Sequence, residues 1–159
     1  MRGGVSAMFE SCHSPHEIAH LLRRRFGLPV QLLAGRPMIT TGSILGALVM
    51  PPHLGRSVLE ALDPALQTPV VADPGDRTWT FLVAPPTTAK PVDIAVRRHL
   101  AAHQVTVVPS GRYVLLPTTD SSFGWHWAAE PAQGVLHMPP RSVVIDAVHH
   151  VIALPAPTP

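Results

Sequence analysis

The sequence predicts one α/β or α+β domain, a mixed β-sheet covered by helices. Three observations predict it. Segments with helical spacing alternate with short β-branched and aromatic runs through the first two thirds of the chain, and strand-like runs cluster afterwards. The 159 residues suit one domain and leave little room for two. Hydrophobic residues make up 46% and charged residues 14%, enough for a core and too few charges for a disordered chain. The 19 prolines fall between apolar runs and divide the chain into short elements.

Residues 1–13 read as a flexible N-terminal tail. The domain is expected over 14–154, and 155–159 as a disordered end. Ser14-Pro15-His16-Glu17 is a helix start. Serine caps, proline suits the first helical position, and Glu17 completes a capping box. Ile18, Leu21, Leu22 and Phe26 follow at helical spacing, and Gly27 with Pro29 stops the helix. Residues 30–33 form a strand, Gly35-Arg36-Pro37 a turn, and 43–50 a buried strand. A second helix is expected over about 52–62, with Leu54, Val58, Leu59 and Leu62 on one face.

Residues 69–72 form a short strand, and Asp73-Pro74-Gly75-Asp76 a turn. Residues 78–84 are a strand rich in aromatic and β-branched side chains, with Trp79 and Phe81 directed into the core. A loop over 85–91 leads into a third helix over 92–103. Residues 105–108 and 112–116, joined by Pro109-Ser110-Gly111, read as a hairpin. Another strand is expected over 123–128, and a last helix over 141–153.

A single cysteine, Cys12, excludes an internal disulfide framework and fits a reducing cytosol. Residues 1–14 hold no apolar core of signal-peptide length. The apolar stretch 44–50 is broken by Gly46, ended by Pro51-Pro52, and too short to span a bilayer. The expected location is cytoplasmic, with no membrane partner. The sequence pI near 9.3 accompanies a formal charge of only +2, a balance that permits nucleic-acid binding without requiring it.

Several segments carry a likeness. Val105-Thr106-Val107-Val108-Pro109-Ser110-Gly111-Arg112-Tyr113-Val114-Leu115-Leu116-Pro117-Thr118, then Gly124-Trp125-His126-Trp127, run as a strand, a glycine turn, an apolar strand and a G-x-x-W strand. Arg77-Thr78-Trp79-Thr80-Phe81, Arg25-Phe26-Gly27-Leu28-Pro29-Val30 and residues 42–51 add further steps. Together they resemble the N-terminal domain of bifunctional DNA primase/polymerases over roughly residues 16–150. The resemblance implies a primase/polymerase-like single domain of the small stand-alone actinomycete type, a source that the alanine, proline, arginine and histidine usage fits.

The active family holds two divalent metals with a D-x-D pair on one strand and a third acid on another, and a histidine binds the nucleotide phosphates. Two metals need several carboxylates. On this resemblance the pair belongs on residues 44–50, which carry no acid, and no aspartate or glutamate occurs between Glu17 and Glu60. Thr78 stands in place of the histidine, and Thr106 in place of the third acid. The implied protein is a pseudoenzyme with no catalytic residues and no cofactor. It would act as a binding or regulatory module for nucleic acid or nucleotide.

Other groups could carry chemistry. His16-Glu17-Ile18-Ala19-His20 matches H-E-x-x-H, in which two histidines on one helix face hold zinc while the glutamate activates water. That is the alternative reading, a zinc-dependent hydrolase, against a capped surface helix. Cys12 and His13 could add ligands. Arg23, Arg24 and Arg25 form a solvated helix face or a phosphate contact, which Arg77, Arg97, Arg98 and Arg112 would extend only if folding gathers them. Trp125 and Trp127 are candidates for base stacking or for the core. His149-His150 are adjacent and so diverge on a helix, poor joint ligands for one ion. Ser110, Ser121 and Ser122 fit no nucleophile elbow. A third reading is a protein–protein adaptor, as a homodimer or with another partner.

Overall fold

The computed structural model describes residues 8–85 and 91–154. The expected end 155–159, most of the loop over 85–91 and the first part of the tail lie outside them. The chain runs α1 (Pro15–Phe26), β1 (Gln31–Leu33), β2 (Arg36–Thr40), β3 (Gly46–Met50), α2 (Pro52–Ala61), β4 (Val70–Ala72), β5 (Trp79–Val83), α3 (Ile94–Ala102), β6 (Thr106–Val107), β7 (Tyr113–Leu115), β8 (His126–Ala129) and α4 (Arg141–Ala153).

The expected α+β domain is what the chain forms, with its strands divided between two sheets. One has three strands in the order β1-β2-β7, the other five in the order β6-β3-β5-β4-β8. Every ladder is antiparallel, and the one parallel contact among the described residues is an isolated bridge from Ala84 to Pro140. Of the two expected classes, α+β is the one the chain takes.

Period-two alternation along the central strands makes two cores, one on each face of the larger sheet. Leu48 and Met50 of β3, with Trp79, Phe81 and Val83 of β5, face the first core. Leu54 and Val58 of α2, Leu100 of α3, and Val144, Ile145 and Val148 of α4 close it. Ala47 and Leu82 point to the opposite face. There α1 supplies Ala19, Leu22 and Phe26, and the small sheet supplies Ile39 and Val114. Strand β5 is buried throughout, because both of its faces are covered.

Local signals place the helices. Ser14 Oγ accepts the Glu17 N–H at 3.2 Å, and Gly27 ends α1 in the left-handed region with φ 71°. Glu17 does not close the expected capping box onto Ser14. Its Oε2 accepts the His13 N–H at 2.7 Å, one residue upstream. Asp93 caps α3 by accepting the Ala95 N–H, so that helix starts at Ile94, two residues later than its apolar pattern predicts. Helix α4 spans the expected residues.

The first departure is the hairpin β1-β2. Arg36-Pro37, read as part of a turn, begin a strand. The turn is Ala34-Gly35, with φ of 50° and 75°, and Leu33 faces Arg36 across it. Two positive φ values suit a two-residue hairpin loop, but alanine is an unusual occupant, which hides the signal. A non-glycine residue in the left-handed region costs about 1–2 kcal/mol. Ala34→Asn is therefore expected to raise unfolding stability by about 1 kcal/mol, read as a higher urea midpoint at unchanged slope.

The second departure is the predicted hairpin over 105–116. Its halves join different sheets, β6 beside β3 and β7 beside β2. The connections 41–45 and 108–112 cross between the sheets together. Thr41 pins the crossing: its Oγ1 donates to the Pro109 carbonyl at 2.7 Å and accepts the Arg112 N–H at 3.0 Å. Gly111 N–H adds a bond to the Thr41 carbonyl. The segments 36–50 and 106–115 thus form one bent antiparallel ribbon, and long-range pairing replaces the local turn.

Residues 8–13, read as part of the tail, are tied down. Met8 and Phe9 are buried in the second core, and the Phe9 N–H donates to Asp120 Oδ2 at 3.0 Å. Strand β8 starts at His126, not at 123, and Phe123 is 91% exposed.

Candidate functional site

The positions that the resemblance assigns to metal ligands are brought together. β3 lies between β6 and β5, and Val49 faces Thr106 on one side and Thr80 on the other. The register continues through Val71 to Trp127. Directly paired residues share a sheet face, so Thr106, Val49, Thr80, Val71 and Trp127 form one row across five strands. It lies opposite Leu48 and Met50, on the side of the second core. The row holds hydroxyls, aliphatic groups and an indole, and no carboxylate. Thr80 is 8% exposed, and Thr106 is open to solvent. Thr78 lies outside the ladder, and its N–H donates to Asp73 Oδ1 at 2.8 Å.

Among the described residues, no hydrogen bond or ring contact joins the arginines named from the sequence to one another. The Arg23 guanidinium donates from Nε and an Nη to the Val30 carbonyl at 3.1 and 2.8 Å, fixing the step from α1 into β1. Arg25 is half-buried over the Phe26 ring, 5.6 Å from its centroid. Arg77 follows the turn before β5 and Arg112 the crossing before β7, and both are exposed, as is Arg24. Arg97 and Arg98 are exposed on α3.

The tryptophans also separate. Trp127 packs edge-on to Phe26, with centroids 6.0 Å apart at 68°, and belongs to the second core. Its Nε1 is buried, with no hydrogen-bond partner among the described residues. Trp125 precedes the strand, half-buried, and its carbonyl accepts the Thr118 N–H. Trp79 and Phe81 are core residues, as expected.

His16, Glu17 and His20 lie on the exposed side of α1 and, with Cys12, line a shallow concavity of about 360 Å³. The cap bond from His13 engages the carboxylate that a hydrolase would need as its base. Burial, and then the charges of Glu17 and Asp120, raise the Cys12 thiol above its ordinary range. This keeps it protonated and poorly nucleophilic at neutral pH. His150 is exposed on α4, and His149 turns inward.

A larger cavity, about 540 Å³, lies between the end of α2 and the chain after β8. Leu59, Leu62, Asp63, Gln67, Thr68 and Glu130 are among its walls. Two acids and no arginine or lysine make it a poor phosphate site.

Sequence reasoning missed Arg56. It pairs with Asp76 at 2.9 Å and covers the Trp79 ring at 5.2 Å. It also missed the ring contacts that His99 of α3 makes with His103 and His149. No family model, curated protein or solved structure matches the chain. No helix among the described residues is long and apolar enough to cross a membrane.

Proposed function

We propose that the protein is a non-catalytic, primase/polymerase-like binding module for nucleic acid or nucleotide. One observation carries this reading. Strand β3, within the residues 44–50 to which the resemblance assigns the paired acids, pairs with β6, which holds Thr106 in the place of the third acid, and neither carries a carboxylate. Two-metal phosphoryl chemistry needs anionic ligands to hold both ions against the developing charge. Threonine and valine cannot supply that charge. Phosphate contacts would then fall to the exposed arginines Arg24, Arg77 and Arg112, since Arg23 is engaged with Val30. The single cysteine, kept as a thiol, accords with a cytoplasmic setting.

The test is fluorescence anisotropy of labelled single-stranded and primer–template DNA at several salt concentrations. The wild type is expected to bind with log affinity falling linearly in log salt. Arg24→Ala and Arg112→Ala should each weaken binding across sequences and reduce that slope by about 1. Primer extension with deoxynucleotides and Mg²⁺ or Mn²⁺ should give no product. Absence of binding at low salt would remove nucleic acid and leave a protein partner or a second copy as the ligand to seek. Primer extension would overturn the non-catalytic assignment.

A further inference from the structure

The cavity of about 540 Å³ between the end of α2 and the chain after β8 takes no part in the binding module proposed above. Its size falls in the range of small-molecule pockets, roughly 300–1,000 Å³. The β4–β8 ladder holds two of its walls in place. Val70 pairs with Ala129 in antiparallel register, so the chain entering β4 through Thr68 runs beside the chain leaving β8 through Glu130 and Pro131. The end of α2 and the short 3₁₀ turn Pro64–Leu66, with the residues that flank it, close the other side.

The lining has one sign of charge. Asp63 and Glu130 are its charged residues, and no arginine, lysine or histidine stands among them. Asp63 Oδ1 accepts the Ala65 N–H at 3.0 Å. Its Oδ2 and the Glu130 carboxylate have no hydrogen-bond or ion-pair partner among the described residues. Both acids are exposed, whereas Leu62 and Pro131 are buried. Thr68 carries the independent signal. It is 5% exposed and lines the cavity, and its hydroxyl has no hydrogen-bond partner among the described residues. A polar side chain so far buried and unpaired is uncommon and calls for a partner.

We infer that this cavity binds a short aliphatic diammonium compound. Two ammonium groups match two uncompensated carboxylates, each of which accepts charge-assisted hydrogen bonds. The Thr68 hydroxyl accepts one more. Leu59, Leu62 and Pro131 cover the connecting methylenes, which leave water on binding. Other ligand classes fit less well. Phosphates and carboxylates would meet like charge with no cation to answer it. A hard divalent metal takes six or more oxygen ligands. Among the described residues, no three histidine, cysteine, aspartate or glutamate side chains are placed to hold such an ion.

The experiment is calorimetric titration of the full chain with 1,4-diaminobutane at low salt and about pH 7.5, where alkyl amines are protonated. The uncharged comparison is 1,4-butanediol. The wild type is expected to bind one equivalent of the diamine saturably, and to show no saturable binding of the diol. Asp63→Asn and Glu130→Gln should each lower affinity about tenfold. Asparagine caps as well as aspartate, so the first variant keeps the turn at Ala65. Both positions are exposed, so these variants test the site even if Thr68→Val, expected to cost about fivefold, fails to fold. Glu10→Gln removes an exposed acid outside the cavity and should leave affinity unchanged. Absence of saturable diamine binding, equal binding of the diol, or unchanged affinity in either charge variant would overturn the assignment. So would a loss in Glu10→Gln as large as that in Glu130→Gln, which would mark unspecific ionic attraction.

Discussion

Gly55→Val is expected to destabilise the protein by about 3 kcal/mol, the upper range for forcing extra carbon into a packed core. Gly55 lies in α2 on the face that meets Trp79. A Cβ there would stand 2.7 Å from the indole Cε3 and 3.2 Å from Cδ2. The indole cannot easily retreat. Its Nε1 donates to Asp76 Oδ1 at 2.6 Å, Asp76 also accepts from Arg56, and the Arg56 guanidinium covers the ring. Gly55→Ala sharpens the test, because helix propensity alone favours alanine by about 1 kcal/mol. A loss of stability in both variants, measured by urea unfolding, would show that close packing decides this position. Asp76→Ala should loosen the indole and reduce the Gly55→Val penalty in a double-mutant cycle. A neutral Gly55→Val would show that Trp79 yields.

Phe26→Ala is expected to cost about 4 kcal/mol, in the range for emptying a buried aromatic site. Phe26 is the last residue of α1, fully buried, and joins that helix to the edge of the larger sheet through Trp127. Removing it leaves a cavity among residues from α1, the small sheet and β8. The contrasting variant is Trp127→Phe. It removes apolar area but also a buried N–H with no partner among the described residues, so its net cost should stay within about 1 kcal/mol. A Trp127→Phe loss as large as that of Phe26→Ala would mean that the indole N–H makes a bond in solution. The Phe26–Trp127 coupling itself should be about 0.5–1.5 kcal/mol.

Local chemistry made much of the fold legible. Ser14 and Gly27 bound α1, and apolar spacing located α2. Alternating aromatics marked β5 and sent Trp79 and Phe81 to the core. These features depend on neighbours a few residues away. The missing acids could also be read directly, since their absence between Glu17 and Glu60 needs no structure.

Tertiary structure decided the rest. Nothing local to residues 105–116 shows that its two halves pair with β3 and β2 in different sheets. That choice belongs to partners 57 to 77 residues away and to Thr41 at the crossing. Ala34 disguised the turn that makes β2 a strand. Arg23 looked available until its guanidinium met the Val30 carbonyl, and Trp127 looked like a stacking surface until Phe26 packed against it. The contact of His99 with His149 depends on how α3 and α4 meet. The sequence by itself determined the helices, the core strand and the lack of acidic metal ligands, because capping, periodicity and composition act locally. Only the tertiary structure decided which strands pair and which side chains meet, because those contacts are made by residues far apart in the chain.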